Sequence, residues 1–103
     1  MRYMLNINKN VENKKACFEL GGRLDTVTSP QLETALKEVL DHVEDLMLDF
    51  AGLDYISSSG LRVLLSAQKV MNQQGKMTIL HVNETIMDVF EVTGFSDILT
   101  IEN

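Results

Sequence analysis

Cysteine is almost missing: Cys17 is the only one in 103 residues. An internal disulfide and a multi-cysteine zinc site are thereby excluded. Basic residues are scarce too, nine Lys and Arg against fifteen Asp and Glu, for a formal net charge of −6. Nucleic-acid binding draws on a basic footprint that displaces counterions from phosphates, which this balance does not supply. The same deficit argues against an anionic membrane surface and suits a basic or mixed-charge protein partner. Apolar runs fall far short of a membrane span, and Met1 to Asn10 has no apolar core of the signal-peptide type. A cytosolic address is the expectation. The six methionines, Met71, Met77 and Met87 among them, form no ligand cluster and read as packing residues. No metal or cofactor is expected.

What is there is ordinary globular material, 45% apolar and 23% charged. The length suits one domain over residues 1–103, with a usable core and a thin stability margin. Tyr3 to Asn8 alternates at strand period. Lys9 to Lys15 is polar, lacks glycine and reads as a hairpin loop, and Ala16 to Leu20 returns as a strand ended by Gly21-Gly22. Arg23 to Thr28 reads as a loop. Ser29-Pro30 then opens a helix, with serine as cap and proline at the first helical position. Leu32, Ala35, Leu36, Val39, Leu40 and Val43 form its apolar face.

Leu46 to Phe50 suits a strand buried on both faces, and Ala51 to Ser57 reads as a loop. From Ser58 the spacing is helical again, with a broad apolar stripe and a narrow polar one of Arg62, Ser66, Lys69 and Gln73. Such a helix packs on more than one side. Gly75 is the expected left-handed cap. A strand over Lys76–Val82, a helix capped by Asn83 and ended by Gly94, and a short strand over Ile98–Ile101 complete the order β-β-α-β-α-β-α-β. The expected class is α/β: an N-terminal hairpin, a mostly parallel sheet of four to five strands, and three to four helices.

One segment is unusual: Asp54-Tyr55-Ile56-Ser57-Ser58-Ser59-Gly60-Leu61. It follows the carboxyl end of a buried strand and opens a helix, where open α/β sheets place ligands and partners. Serines there can accept from unpaired N–H groups, and the partial positive charge favours an added anion such as a phosphate. The serines can equally be caps and nothing more, although one cap needs no triplet. Gly60 leaves room for close approach of another backbone.

These residues resemble the STAS domains, and within them the bacterial anti-sigma factor antagonists. Gly22-Arg23-Leu24-Asp25 with Thr28, Pro30 and Leu32 is similar to the family's loop into its first helix. Leu48-Asp49-Phe50 followed by Leu53 to Leu61 is similar to its signature, and Thr93-Gly94-Phe95 with Ile98 to its C-terminal segment. The resemblance implies a STAS-like fold and a regulator that captures an anti-sigma factor. That partner is also a serine kinase of the histidine-kinase-like ATPase type, and a phosphoserine phosphatase can reverse its action. Capture frees the sigma factor, and phosphorylation of one serine ends the capture. On this sequence that serine is Ser58, with Ser57 and Ser59 as less favoured alternatives. Many relatives carry aspartate just before the acceptor; here Ser57 stands there, one negative charge fewer and one hydroxyl more. The expected partner-binding set is Asp25, Asp54, Ser57, Ser58, Ser59, Gly60 and Arg62. A phosphoserine adds about −1.5 to −2 charges, with Asp25 and Asp54 as plausible repelling neighbours. A near-complete switch takes about 5.5 kcal/mol, within reach when a dianion is buried in a docked interface. The runner-up is a non-phosphorylated STAS adaptor subunit of a transport or signalling complex.

Other candidates have plainer readings. The serine cluster is no nucleophile elbow, because Ile56 stands where G-x-S-x-G needs glycine. His42 and His81 have no visible nucleophile or acid partner, and a hydrolase stays a remote third class. Asp25 can brace a turn with Gly21 and Gly22 or orient the partner. Arg62 and Lys69 are either a docking stripe or a solvated face. Cys17 reads as a small core residue, and Phe95 as a cover for the sheet edge.

Overall fold

Alternation of apolar residues makes β1 (Leu5–Glu12) and β2 (Lys15–Leu24) an antiparallel hairpin. These strands belong to a computed structural model that describes residues 4–102; the expected strand position Tyr3 lies outside them. The expected loop over Lys9–Lys15 is instead a two-residue turn. Asn13 and Lys14 both have positive φ, 49° and 68°, the backbone of the tight hairpin turn whose twist matches its strands. β2 also runs past Gly21-Gly22 to Leu24, so Arg23 and Leu24 are strand rather than loop.

Helix α1 (Ser29–Leu40) crosses over to β3 (Asp45–Ile56), which pairs parallel with β2. Helix α2 (Ser58–Gln74) leads to β4 (Lys76–Leu80), and α3 (Glu84–Thr93) with a 3-10 turn at Phe95–Asp97 leads to β5 (Ile101–Glu102). The five-stranded sheet has the order β1-β2-β3-β4-β5, parallel except for the hairpin. The last strand is thus shorter than Ile98–Ile101, because the 3-10 turn takes up part of that segment.

All three helices pack on one face of the sheet. Lys9, opposite Phe18 in the hairpin, reaches Glu38 of α1 at 3.1 Å. Phe90 of α3 lies on Phe50 with ring centroids 6.3 Å apart. Helix α2 packs between α1 and β4 and buries Leu61, Val63, Leu64, Ala67, Gln68 and Met71, the many-sided packing its composition foretold. Its polar stripe of Arg62, Ser66, Lys69 and Gln73 is exposed. Because none of the helices among the described residues covers the other face, β3 is not buried on both sides. Leu46, Leu48 and Phe50 are buried while Met47 and Asp49 are half-exposed. Cys17 shares that outer face and is likewise half-buried, not a core residue. Burial, followed by the nearby Glu19 and Asp49 carboxylates, pushes its thiol pKa up.

Two helix ends show tertiary demands that local pattern does not carry. Gly75 is no left-handed cap, since its φ is 173°. A Cβ there would stand 1.8 Å from the Glu44 carbonyl oxygen, which accepts from Lys76 N–H at 3.0 Å. Close backbone approach requires this glycine. Gln74, one residue earlier, donates to the Leu40 and Val43 carbonyls, satisfying acceptors that the end of α1 leaves open. Gly94 does take the left-handed form, φ 83°.

Candidate functional site

β2 and β3 run side by side to their carboxyl ends. Gly21 pairs with Gly52 at an irregularity in the register, and pairing resumes so that Arg23 faces Tyr55 and Leu24 faces Ile56. The expected loop over Ala51–Ser57 is therefore strand as far as Ile56. Ser57 N–H closes the ladder by donating to Leu24 O at 2.9 Å. In this way the start of α2 and the loop before α1 emerge together.

The three serines occupy three environments. Ser57 is the N-cap of α2, with extended backbone; its Oγ accepts from Gly60 N–H at 3.4 Å and its carbonyl from Leu61 N–H at 3.0 Å. Ser59 is half-buried, its Oγ 3.4 Å from Thr26 Oγ1 of the loop before α1. Ser58, at the first helical position, is exposed and makes no side-chain hydrogen bond to a described residue. Gly60 is buried, and a Cβ on it would lie 2.8 Å from both Leu24 Cγ and Ile56 Cγ1. It lets α2 seat on the core; it does not open space for a partner's backbone.

Asp25 shapes the neighbouring loop. Its Oδ1 accepts from Val27 N–H and Thr28 N–H, both at 3.0 Å, and from Thr28 Oγ1 at 3.1 Å. Thr28 in turn accepts from Asp25 N–H at 2.9 Å and donates to Arg23 O. The brace is thus with Thr28 rather than with Gly21 and Gly22. The N–H of Thr28, above all, holds the Asp25 carboxyl below the usual carboxylate range, against some burial. Ser29 does not cap α1: Thr28 stands at the cap, its hydroxyl turned to Asp25 and Arg23 instead of the helix N–H groups, and Ser29 Oγ donates to Asp25 O.

Three residues beyond the expected set complete this surface. Arg23 Nε lies 3.5 Å from Asp25 Oδ2, and its guanidinium sits 4.1 Å above the Tyr55 ring. Val27, next to Thr26 in the loop, is 84% exposed, and Tyr55, at the end of β3, is 38% exposed. The Asp25-x-x-Thr28 spacing was the available signal for the loop, since aspartate and threonine close such turns on their own backbone. Asp54 is exposed on β3, and Arg62 is exposed one turn into α2. Neither Asp25 nor Asp54 contacts Ser58 through a hydrogen bond.

The histidines lie elsewhere. His42 is exposed just past α1, and His81 Nδ1 is 3.0 Å from Asp49 Oδ1 on the outer sheet face. Burial raises the Asp49 pKa, but the His81 bond and the Ala51 N–H outweigh it and leave it lowered. Neither imidazole contacts a serine hydroxyl among the described residues. Among the described residues, no group of three or more His, Cys, Asp or Glu could hold a metal ion, and no helix is long and apolar enough to cross a membrane.

The profile of the STAS domain family matches residues 4–103. The chain belongs to the STAS domain family. The anti-sigma-B factor antagonist of Staphylococcus aureus (strain NCTC 8325 / PS 47) is 32% identical over 99 residues, spanning 94% of this chain and 92% of that protein. An anti-sigma factor antagonist from Mycobacterium paratuberculosis superposes with a TM-score of 0.88 at 18% identity, over 98% of this chain and 87% of that one. The Bacillus cell fate determinant SpoIIAA in its phosphorylated form superposes with a TM-score of 0.74 at 18% identity, over 95% and 92%. The STAS-like α/β fold, with one antiparallel pair in a five-stranded sheet and three helices, is thus the fold of anti-sigma factor antagonists.

Proposed function

We propose that this STAS chain is an anti-sigma factor antagonist working by partner switching in the cytosol. In its unphosphorylated state it captures an anti-sigma factor that is also a serine kinase of the histidine-kinase-like ATPase type. Phosphorylation of Ser58 releases that partner. The chain recognises and is modified; it catalyses nothing itself.

One observation carries this reading. Of the three hydroxyls at the start of α2, Ser57 serves as cap, Ser59 faces Thr26, and Ser58 alone is exposed and uncommitted. An incoming ATP γ-phosphate can reach it without unfolding a turn. The surface around it suits docking: Val27 and Tyr55 supply exposed apolar area, Asp25 and Arg23 hold the loop rigid, and Asp54 and Arg62 contribute charge. A phosphate at Ser58 introduces about −1.5 to −2 charges where the partner fits a neutral hydroxyl. The strand-end position and the 32% identity to the Staphylococcus antagonist support the same assignment.

The test is incubation, in the presence of ATP, with candidate serine kinases of the histidine-kinase-like ATPase type from the same organism. The intact protein should gain one phosphate, and Ser58→Ala should abolish the gain while Ser57→Ala and Ser59→Ala retain it. A wild-type protein that stays unmodified while binding its partner would leave the adaptor role instead.

A further inference from the structure

We propose that Arg62 is the internal counterion of the phosphorylated serine, so that modification both blocks the docking face and withdraws from it a positive charge. This rests on the reading of Ser58 as the phosphoacceptor. Arg62 follows Ser58 by four residues on α2 and Ser59 by three, the separations at which helical side chains are neighbours. Long side chains on a helix lean back over the preceding turn, which here carries the serines. The order is also the favourable one, with the negative group N-terminal to the positive.

Arg62 is free to take this part. It is exposed, and the ion pairs of the described residues do not include it. With Thr26, Pro30, Glu33 and Ser59 it lines a shallow groove of about 240 Å³ between the starts of α1 and α2. Glu33 is the carboxylate in that groove, and it too is without an ion pair to Arg62. A phosphate dianion is the stronger claimant, because its oxygens match the planar guanidinium fork two at a time. In the unmodified protein the same guanidinium is available to a carboxylate of the partner. Phosphorylation redirects it inward, and the switch gains a second component without any change of fold.

The experiment uses the full chain with phosphoserine placed directly at position 58 during translation, and follows the phosphate by 31P NMR as pH is varied. The second ionisation midpoint should rise by about half a pH unit in Arg62→Gln relative to the unsubstituted chain, with Arg62→Lys in between. The pull of the helix end is common to all three proteins and cancels. Equal midpoints in the unsubstituted and Gln proteins, both folded by their melting curves, would overturn the proposal. No kinase takes part, so that outcome leaves Ser58 as acceptor standing. A kinase that modifies another residue sinks the functional reading instead.

Discussion

Thr26 Oγ1 and Ser59 Oγ face each other across 3.4 Å, joining the loop before α1 to the first turn of α2. The separation is long for a hydroxyl pair, so its energetic weight is small. Its effect is positional: Ser59 is turned inward as Ser57 caps the helix. Ser59→Ala should therefore change stability by no more than about 0.5 kcal/mol. Ser57→Ala removes a cap whose bond is also long, 3.4 Å, and should cost about 0.5–1 kcal/mol. Urea unfolding of the two variants checks the ranking. A Ser59→Ala loss equal to or above that of Ser57→Ala would refute the division of labour.

The hairpin offers a sharper energetic test. Lys14 holds φ 68°, which costs a residue with a Cβ about 1–2 kcal/mol relative to glycine. Lys14→Gly forfeits the Lys14–Glu44 ion pair at 3.5 Å, exposed at both ends and worth about 0–1 kcal/mol. The backbone term wins, and the variant should gain about 0.5–1 kcal/mol, seen as a raised denaturant midpoint with unchanged slope. A lowered midpoint would mean that the turn is held by its side chain and not merely tolerated.

That turn marks where the residues alone ran out. The element order, the Asn83 cap and the end at Gly94 follow from periodicity and punctuation, and the structure keeps them. The hairpin turn is shorter than the polar run Lys9–Lys15 suggests, because no glycine announces the positive φ of Asn13 and Lys14. β3 runs beyond Phe50 because Ala51-Gly52, which resembles a break, stays in the sheet, with Gly52 paired to Gly21 of the adjacent strand. Gly60 and Gly75 suggest local or external purposes by their place in the chain, but each is required by a distant atom, Leu24 Cγ in one case and Glu44 O in the other. At the candidate site the serine triplet was conspicuous from its composition. The allocation of its hydroxyls depends on Thr26, thirty-three residues from Ser59, and is invisible in local spacing.

Gly60→Ala sets two effects against each other. Alanine favours a helix over glycine by about 1 kcal/mol. Its Cβ would press to 2.8 Å on Leu24 and Ile56, both buried, and overpacking of that kind costs about 1–3 kcal/mol. The expected net loss is about 1 kcal/mol, a fall in melting temperature of about 4–8 °C. The start of α2 should shift with it, so phosphate acceptance by Ser58 should slow as well. A more stable variant would show that α2 seats more loosely than its contacts imply.

Asp25 predicts an acid-dependent effect. Its folded pKa is lowered from an ordinary 3.8, first by the Thr28 N–H. A depressed carboxyl contributes stability that is complete above its unfolded pKa and is lost as pH falls through the folded one. Asp25→Ala should therefore melt below the unsubstituted protein at pH 7, and the gap should narrow once the pH falls under about 4. Asp25→Asn, which keeps an acceptor oxygen but no charge, should fall between them at neutral pH. A gap independent of pH would assign the loop's stability to packing rather than to the ionised carboxylate.

Ser58→Glu separates the proposed switch from simple capping. A carboxylate in the first turn gains about 0.3–1 kcal/mol from the helix end, and Ser58 gives up no hydrogen bond to a described residue. The melting temperature should accordingly hold or rise slightly. Capture of the anti-sigma partner should nevertheless weaken at least tenfold, about 1.4 kcal/mol, because one fixed charge now faces a surface fitted to a hydroxyl. A carboxylate carries roughly half the phosphate's charge, so the loss should stay below that caused by true phosphorylation. Calorimetric titration of the three forms gives the ranking. Unchanged capture by the folded glutamate variant would place the docking face away from Ser58.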